Sequence, residues 1–170
     1  DAGNLQNTLQ AAIGDVDGLL RTFGALLRIA QVESGTRKAS FARVDLSEVL
    51  STVAEIYQPA IEEQHQSLNQ RIERDLFVSG DRELLTQLFA NLLENASRHS
   101  PSGAHIDVFA GKSAGRIEVA VSDDGPGVPA EMREKIFQRF VRLDTSRSTP
   151  GNGLGLSMVA AIAELHDVKL

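Results

Sequence analysis

The chain has 170 residues, 42% hydrophobic and 24% charged, a length and composition suited to one globular domain with an appendage. Its net charge of −6 argues against broad electrostatic binding of nucleic acid or an anionic membrane, so a polyanionic ligand would need local donors. The absence of cysteine excludes disulfides, thiolate catalysis and cysteine–metal sites, and no apolar run approaches the roughly 18 residues of a membrane span. No signal peptide is visible at the start, and both ends fall inside patterned segments, as expected of a piece of a longer protein.

Residues 1–34 read as one long helix. Leu5, Leu9, Ala12, Val16, Leu19, Phe23, Leu26 and Ala30 recur at intervals of 4 and 3, a heptad seam. Gly14, Gly18 and Gly24 weaken this helix in isolation, so it is expected to need a partner, whether in a bundle or on its own domain. Gly35 suits the position just past a helix end. Residues 35–44 read as a linker. Asp45 with Glu48 makes a capping-box-like start, and Val49, Val53, Ile56, Ala60 and Ile61 continue as a helical face in which Pro59 removes one donor.

The apolar runs at 68–72 and 76–78 read as strands. Asp81 caps a helix to about Ser97 with Leu84, Leu85, Leu88, Leu92 and Leu93 inward. Ile106 and Val108 alternate in one strand, and Ile117, Val119 and Val121 in the next, with a hairpin over 111–115. A short helix is expected at 130–137 and a mobile loop, rich in Ser, Thr, Arg, Pro and Gly, at 141–152. A last helix follows at 154–165, and 168–170 read as the start of a strand. There is no internal repeat.

Asn91 and Asn95 lie four apart, so both project from one helix face, which His99 continues. They either face water or form the polar floor of a pocket, where a neutral amide oxygen suits Mg²⁺, an ion that shares its coordination with phosphates. "SDDGPGVP" at 122–129 follows a strand directly, either as a plain turn or as a site where Asp123 accepts from an exocyclic amine while Gly125 and Gly127 pass close to a flat ring. In "IFQRF" at 136–140 the phenylalanines suit a core-docked helix end. Arg139 and the nearby Arg142 suit phosphate, since guanidinium forks onto its oxygens. "GNGLGLS" at 151–157 places Gly151, Gly153 and Gly155 at the entrance to a helix. Backbone N–H groups are exposed there to an anion, with Leu154 and Leu156 packed beneath. No Gly-Lys-Ser/Thr follows, so it is not a Walker loop, and no strand precedes it, so it is not a dinucleotide fingerprint.

In order and spacing these stretches resemble the catalytic, ATP-binding domain of sensor histidine kinases in the GHKL superfamily. "NLLENASRHSP" at 91–101 is similar to the N box, "DDGPG" at 123–127 to the G1 box, "FQRF" at 137–140 to the F box and "GNGLGL" at 151–156 to the G2 box. "RTFGALLRIAQVESG" resembles the end of the second helix of the dimerisation and histidine-phosphotransfer domain. The resemblance implies an α/β two-layer sandwich, a mixed sheet of about five strands with helices on one face, preceded by a long bundle-forming helix. It divides the chain into a partial dimerisation segment at 1–36 and an ATP-binding domain at 37–170 whose last strand is incomplete.

Carried over by position, Asn95 would hold Mg²⁺ on the ATP phosphates with Asn91 in support. Arg98 takes the place of a basic phosphate contact, and His99 sits where an aromatic residue lines the pocket. Asp123 would bind the adenine amine, flanked by Gly125 and Gly127. Arg142, then Arg139, would reach the γ-phosphate. Residues 141–152 would form a lid, with Gly151, Leu154, Leu156, Gly153 and Gly155 closing over the nucleotide. Asparagine at position 91, where hydrolysing relatives carry a glutamate, cannot activate water and fits transfer to a protein acceptor.

The chain departs from the family in its acceptor. Of the histidines, His65, His99 and His105 lack the family's flanking residues, and His166, followed by an aspartate, lies at the wrong end. The chain is therefore expected to bind ATP without autophosphorylating alone, to relay to a response regulator receiver domain, and to form homodimers through its first helix. No nucleic-acid partner is expected, and the location is expected to be cytoplasmic, in a protein anchored in the bacterial inner membrane. A catalytically degenerate regulatory module acting through the heptad helix is the alternative.

Overall fold

The computed structural model describes residues 2–143 and 152–170, without the side chains of residues 2–8, Ala11, Asp15, Arg21 and Thr36. The elements run in the order α1 (Ala2–Glu33), β1 (Ala42–Asp45), α2 (Leu46–Glu63), β2 (Ser67–Ile72), β3 (Phe77–Gly80), α3 (Arg82–His99), β4 (His105–Ser113), β5 (Arg116–Asp123) and α4 (Gly155–Leu165).

The helix starts are fixed by local chemistry. Asp45 accepts from the N–H groups of Ser47 and Glu48, and Asp81 from those of Glu83 and Leu84, so each carboxylate satisfies orphan donors of a first turn. Gly35, at φ 68°, takes the left-handed conformation that ends α1.

The fold is mixed α/β with helices α2, α3 and α4 on one face of the strands, as the resemblance implies. Ile106, Val108 and Ala110 of β4 point into a core shared with Leu50, Ile61, Leu93 and Ile162 of the helices, while Phe109 faces out. The strands do not form one sheet. β2, β4 and β5 make a three-stranded sheet in that order, parallel between β2 and β4 and antiparallel between β4 and β5; β1 and β3 pair separately as an antiparallel ribbon.

Several local expectations are corrected. The segment read as a linker contains a 3-10 turn (Thr36–Ser40) and then β1. The β4–β5 turn is confined to Ala114 and Gly115, both at positive φ, and Gly111 lies within β4. Two 3-10 turns, Ala130–Met132 and Lys135–Phe137, replace the single helix at 130–137. Residues 168–170 form no strand.

On α1 the apolar pattern splits. Ala25, Leu26, Ile29 and Val32 dock on the domain, and α1 runs against α4. Leu9, Ile13, Val16, Leu20, Phe23 and Leu27 remain between 49% and 63% exposed, at heptad spacing along another face. Most of the expected seam is exposed as well: Leu9, Val16, Leu19 (70%) and Phe23 are open and only Leu26 of it packs on the core, so the free apolar band is broader than that seam and takes in Ile13, Leu20 and Leu27.

Candidate functional site

Asn91, Asn95 and His99 occupy one half-buried face of α3 and line a cleft of about 1090 Å³. Neither asparagine side chain hydrogen-bonds to any other described residue, so both amides are available to a ligand. The helix end that carries them is held by a residue the sequence reading missed. Gln66, 5% exposed, donates to the carbonyls of Ser97 and Ser100 at 2.9 Å, and its oxygen accepts from Ser97 Oγ at 2.8 Å. These bonds satisfy C-terminal carbonyls of α3 that have no partner within the helix. A lone glutamine before a strand gives no signal of that role in sequence.

The second wall is the end of β5. Asp123 Oδ1 accepts from the Gly125 N–H at 2.8 Å and from Ser100 Oγ at 3.3 Å, which fixes the carboxylate at the cleft edge. A Cβ on Gly125 would stand 2.4 Å from Asp123 Oδ1 and 3.0 Å from the His99 carbonyl oxygen, so only glycine fits this crossing of turn and helix. Gly127 lines the cleft, whereas Gly125 lies behind Asp123. Next to it, Asp124 Oδ2 accepts from the backbone N–H of His105 at 2.9 Å and faces its ring Nδ1 at 3.0 Å. These bonds hold the Asp124 carboxyl below its ordinary value, the backbone bond first.

The third wall is the entrance to α4. Gly155 is open, with Asn91 Oδ1 4.0 Å from where a Cβ would sit, and no side chain caps the first turn of α4. The N–H groups of this first turn are therefore open to an anion on the side where Asn91 lies. Leu154 is buried beneath and Leu156 packs against the core, as expected. Gly153 has a different task. It sits at φ 65°, its carbonyl accepts from the Phe140 N–H at 2.9 Å, and a Cβ would meet the Phe140 backbone at 3.0 Å. Local backbone geometry demands this glycine whatever the cleft binds. Gly151 and most of the expected lid, 144–151, lie outside the described residues.

Among the cations, Arg98 and Arg142 line the cleft, and Arg98 is ion-paired with Glu94 one turn earlier. Arg139 is turned away. Its Nη2 holds both carboxylate oxygens of Glu33 at the end of α1, at 2.5 and 2.6 Å, and it is not among the lining residues. His99 is pushed below its ordinary pKa, first by burial and then by Arg98 and Arg142, with Asp123 opposing. It therefore meets a ligand as neutral imidazole at pH 7. Among the described residues no three His, Cys, Asp or Glu side chains gather to hold a metal ion. Neutral amide oxygens beside an anion site suit an ion that arrives shared with phosphates.

Paired free amides, a fixed carboxylate and an uncapped helix start surround one cleft. The chain belongs to the family described as histidine kinase-, DNA gyrase B- and HSP90-like ATPases, whose profile matches residues 80–170. Its relatives include the sensor-like histidine kinase SenX3 of Mycolicibacterium smegmatis, 29% identical over 169 residues, covering 98% of this chain and 44% of SenX3. Among solved structures, the mycobacterial sensor histidine kinase MprB superposes with a TM-score of 0.66 at 30% identity, covering 75% of this chain and 80% of that one. Full-length ShkA in complex with AMPPNP superposes with a TM-score of 0.64 at 26% identity, covering 87% of this chain and 33% of ShkA. The chain spans less than half the length of SenX3 and is a histidine-kinase ATP-binding module. No described helix is long and apolar enough to cross a membrane.

Proposed function

We propose that the cleft binds Mg²⁺–ATP and that the chain is the catalytic module of a sensor histidine kinase, donating the γ-phosphoryl group to a histidine for relay to a receiver-domain aspartate. The observation that carries this reading is the pair of unpartnered amides, Asn91 and Asn95, facing the uncapped start of α4 across the cleft. Asn95, with Asn91 beside it, would hold the ion. Asp123 would accept from the adenine amine, and Arg142 with the α4 N–H groups would hold the phosphates. Bound Mg²⁺ supplies neutralisation of phosphate charge. Transfer breaks the bond from the γ-phosphorus to the bridging oxygen, whose electron pair leaves with ADP, and makes one to the unprotonated nitrogen of the acceptor imidazole, while the proton on the ring's other nitrogen passes to a base or to water.

The acceptor must come from elsewhere. His166 has both ring nitrogens engaged, by the Ile162 carbonyl and the Asp81 N–H, and His105 faces Asp124. His99 lies within the cleft, and His65 sits in a turn at positive φ. We place the boundary between a dimerisation segment and the ATP-binding domain at residue 36. The exposed heptad stripe of α1 supports a homodimer through that helix. The module works on the cytoplasmic side, in a protein anchored to the inner membrane.

With no Trp and one Tyr, binding is best followed with a fluorescent ATP analogue. Wild type should bind in a Mg²⁺-dependent way and Asn95→Ala should lose that dependence. The same metal response in both would overturn the assignment.

A further inference from the structure

One wall of the cleft is α1. Gly18, Thr22 and Ala25 line it, small residues that let the helix backbone come close, and Arg28 follows on the same side. The register of α1 is fixed just beyond, where Ile29 and Val32 are buried and Glu33 holds Arg139. Arg139 directly precedes Phe140, whose N–H bonds to the Gly153 carbonyl. The C-terminal end of α1 therefore lies beside the glycine turn that leads into α4. Arg28 is five residues earlier, about 7.5 Å along the axis at 1.5 Å per residue, a distance an arginine side chain spans.

Arg28 differs from the other arginines near it. Arg139 is bound to Glu33, Arg98 to Glu94, and Arg37 to Asp81 and Glu83. Arg28 is exposed and makes no hydrogen bond or ion pair with any described residue. An unpaired guanidinium on the rim of the cleft is open to an anionic ligand there, and a phosphate oxygen is the acceptor that its fork suits best.

We infer that Arg28 is a phosphate contact delivered by α1, so that a bound triphosphate ties α1 to the start of α4. The inference rests on the assignment of the cleft to ATP. The coupling is reciprocal: if docked α1 tightens ATP, then ATP tightens the docking of α1 by the same factor. Loss of the γ-phosphate removes charge from Arg28's partner, so ADP holds α1 less firmly than ATP does. The cleft thereby reports its nucleotide state to the helix that carries the exposed heptad stripe.

The test uses the whole chain with Arg28→Gln, which keeps a polar chain at an exposed site, beside Arg28→Lys and Asn95→Ala. Displacement of a fluorescent analogue by ATP, ADP and adenosine gives affinities. Hydrogen exchange at the amides of residues 22–29 reports α1 docking. Arg28→Gln should weaken ATP about three- to tenfold, ADP less and adenosine not at all, with Arg28→Lys between. ATP should protect α1 more than ADP in wild type and equally in Arg28→Gln. Unchanged ATP affinity in Arg28→Gln, with Asn95→Ala weakened, overturns this inference and leaves the cleft assignment standing. An equal loss for ATP and adenosine overturns it too, since the helix would then act by contact and not through phosphate. If neither variant shifts ATP, the assignment and the inference fall together.

Discussion

The two ends of α3 carry polar surfaces built on opposite terms. At its N-terminal end nearly every charge has an answer inside the protein. Asp81 caps the helix and pairs with Arg37, Arg82 pairs with Glu48, Arg43 lies 3.8 Å over the Phe77 ring, and the Asp81 N–H donates to His166 Nε2. Asp81, Arg82, Glu48, Arg43 and Phe77 border a hollow of about 670 Å³. Toward the C-terminal end, Asn91 and Asn95 are as well sheltered but have no partner among the described residues. Concavity is common to both ends; what separates them is saturation. Where polar groups consume one another they hold elements together, and where a rigid scaffold keeps them open they await a ligand.

The largest expected effect tests whether the open end borrows its rigidity. Gln66→Leu removes the amide that holds the last turn of α3 and leaves buried carbonyls unpaired, at about 1–3 kcal/mol. Urea denaturation should show a loss toward the upper end of that range. ATP affinity of the folded variant should drop as well, because the asparagine face loses its anchor. A stable variant with normal affinity would show that α3 needs no support there.

Next come the two glycines at the α4 entrance. Gly153→Ala must accept a positive φ at about 1–2 kcal/mol and a 3.0 Å approach to the Phe140 backbone, so it should melt early without ligand. Gly155→Ala meets open space and should leave the melt unchanged, yet weaken ATP about tenfold and adenosine little, as the new methyl crowds the phosphates. Reversal of these two phenotypes would assign the anion site to the wrong glycine.

Asp81→Ala and Asp123→Asn make a crossed pair. The first loses a helix cap, about 1 kcal/mol of stability, with nucleotide affinity unchanged. The second should keep its stability and lose about tenfold in ATP affinity together with preference for ATP over GTP. If both move the same observable, the two ends do not differ as described.

The smallest effect is in pH. The folded His99 pKa lies below the unfolded one, so on acidification the unfolded chain takes up its proton first. Stability from this group is present above about pH 6.5 and declines as the pH falls toward the folded value. Urea midpoints between pH 7.5 and 5.5 should fall more steeply for wild type than for His99→Gln.

What could be read from the residues alone follows the same division. The asparagine face of α3, the Asp123 turn and the uncapped α4 start were legible because each is a local pattern of residue types at fixed spacing. Gln66 was not, since its partners lie 31 and 34 residues away. Strand β1 was hidden because only Val44 among its four residues is buried, too little for an alternation. The division of the strands into two sheets depends on β2 pairing past β3 to β4, which no local signal encodes. On α1 the heptad period marks an exposed apolar band, Leu19 and Leu20 both included, but at the Leu26–Leu27 doublet spacing alone cannot choose Leu26 as the member that docks on the domain.

The order of the strands also sets an order in time. The β4–β5 hairpin, closed by Ala114 and Gly115, pairs neighbours and can form within microseconds. β2 meets β4 only after the intervening chain, with α3 inside it, has folded back, a closure whose entropy cost grows with its length. The asparagine face therefore travels on the crossover itself, and α4, which completes the cleft, leaves the ribosome after α1, α2 and α3. A nascent chain holds most of its core before it has anywhere to put a nucleotide, so ATP can reward the finished fold but cannot guide its assembly.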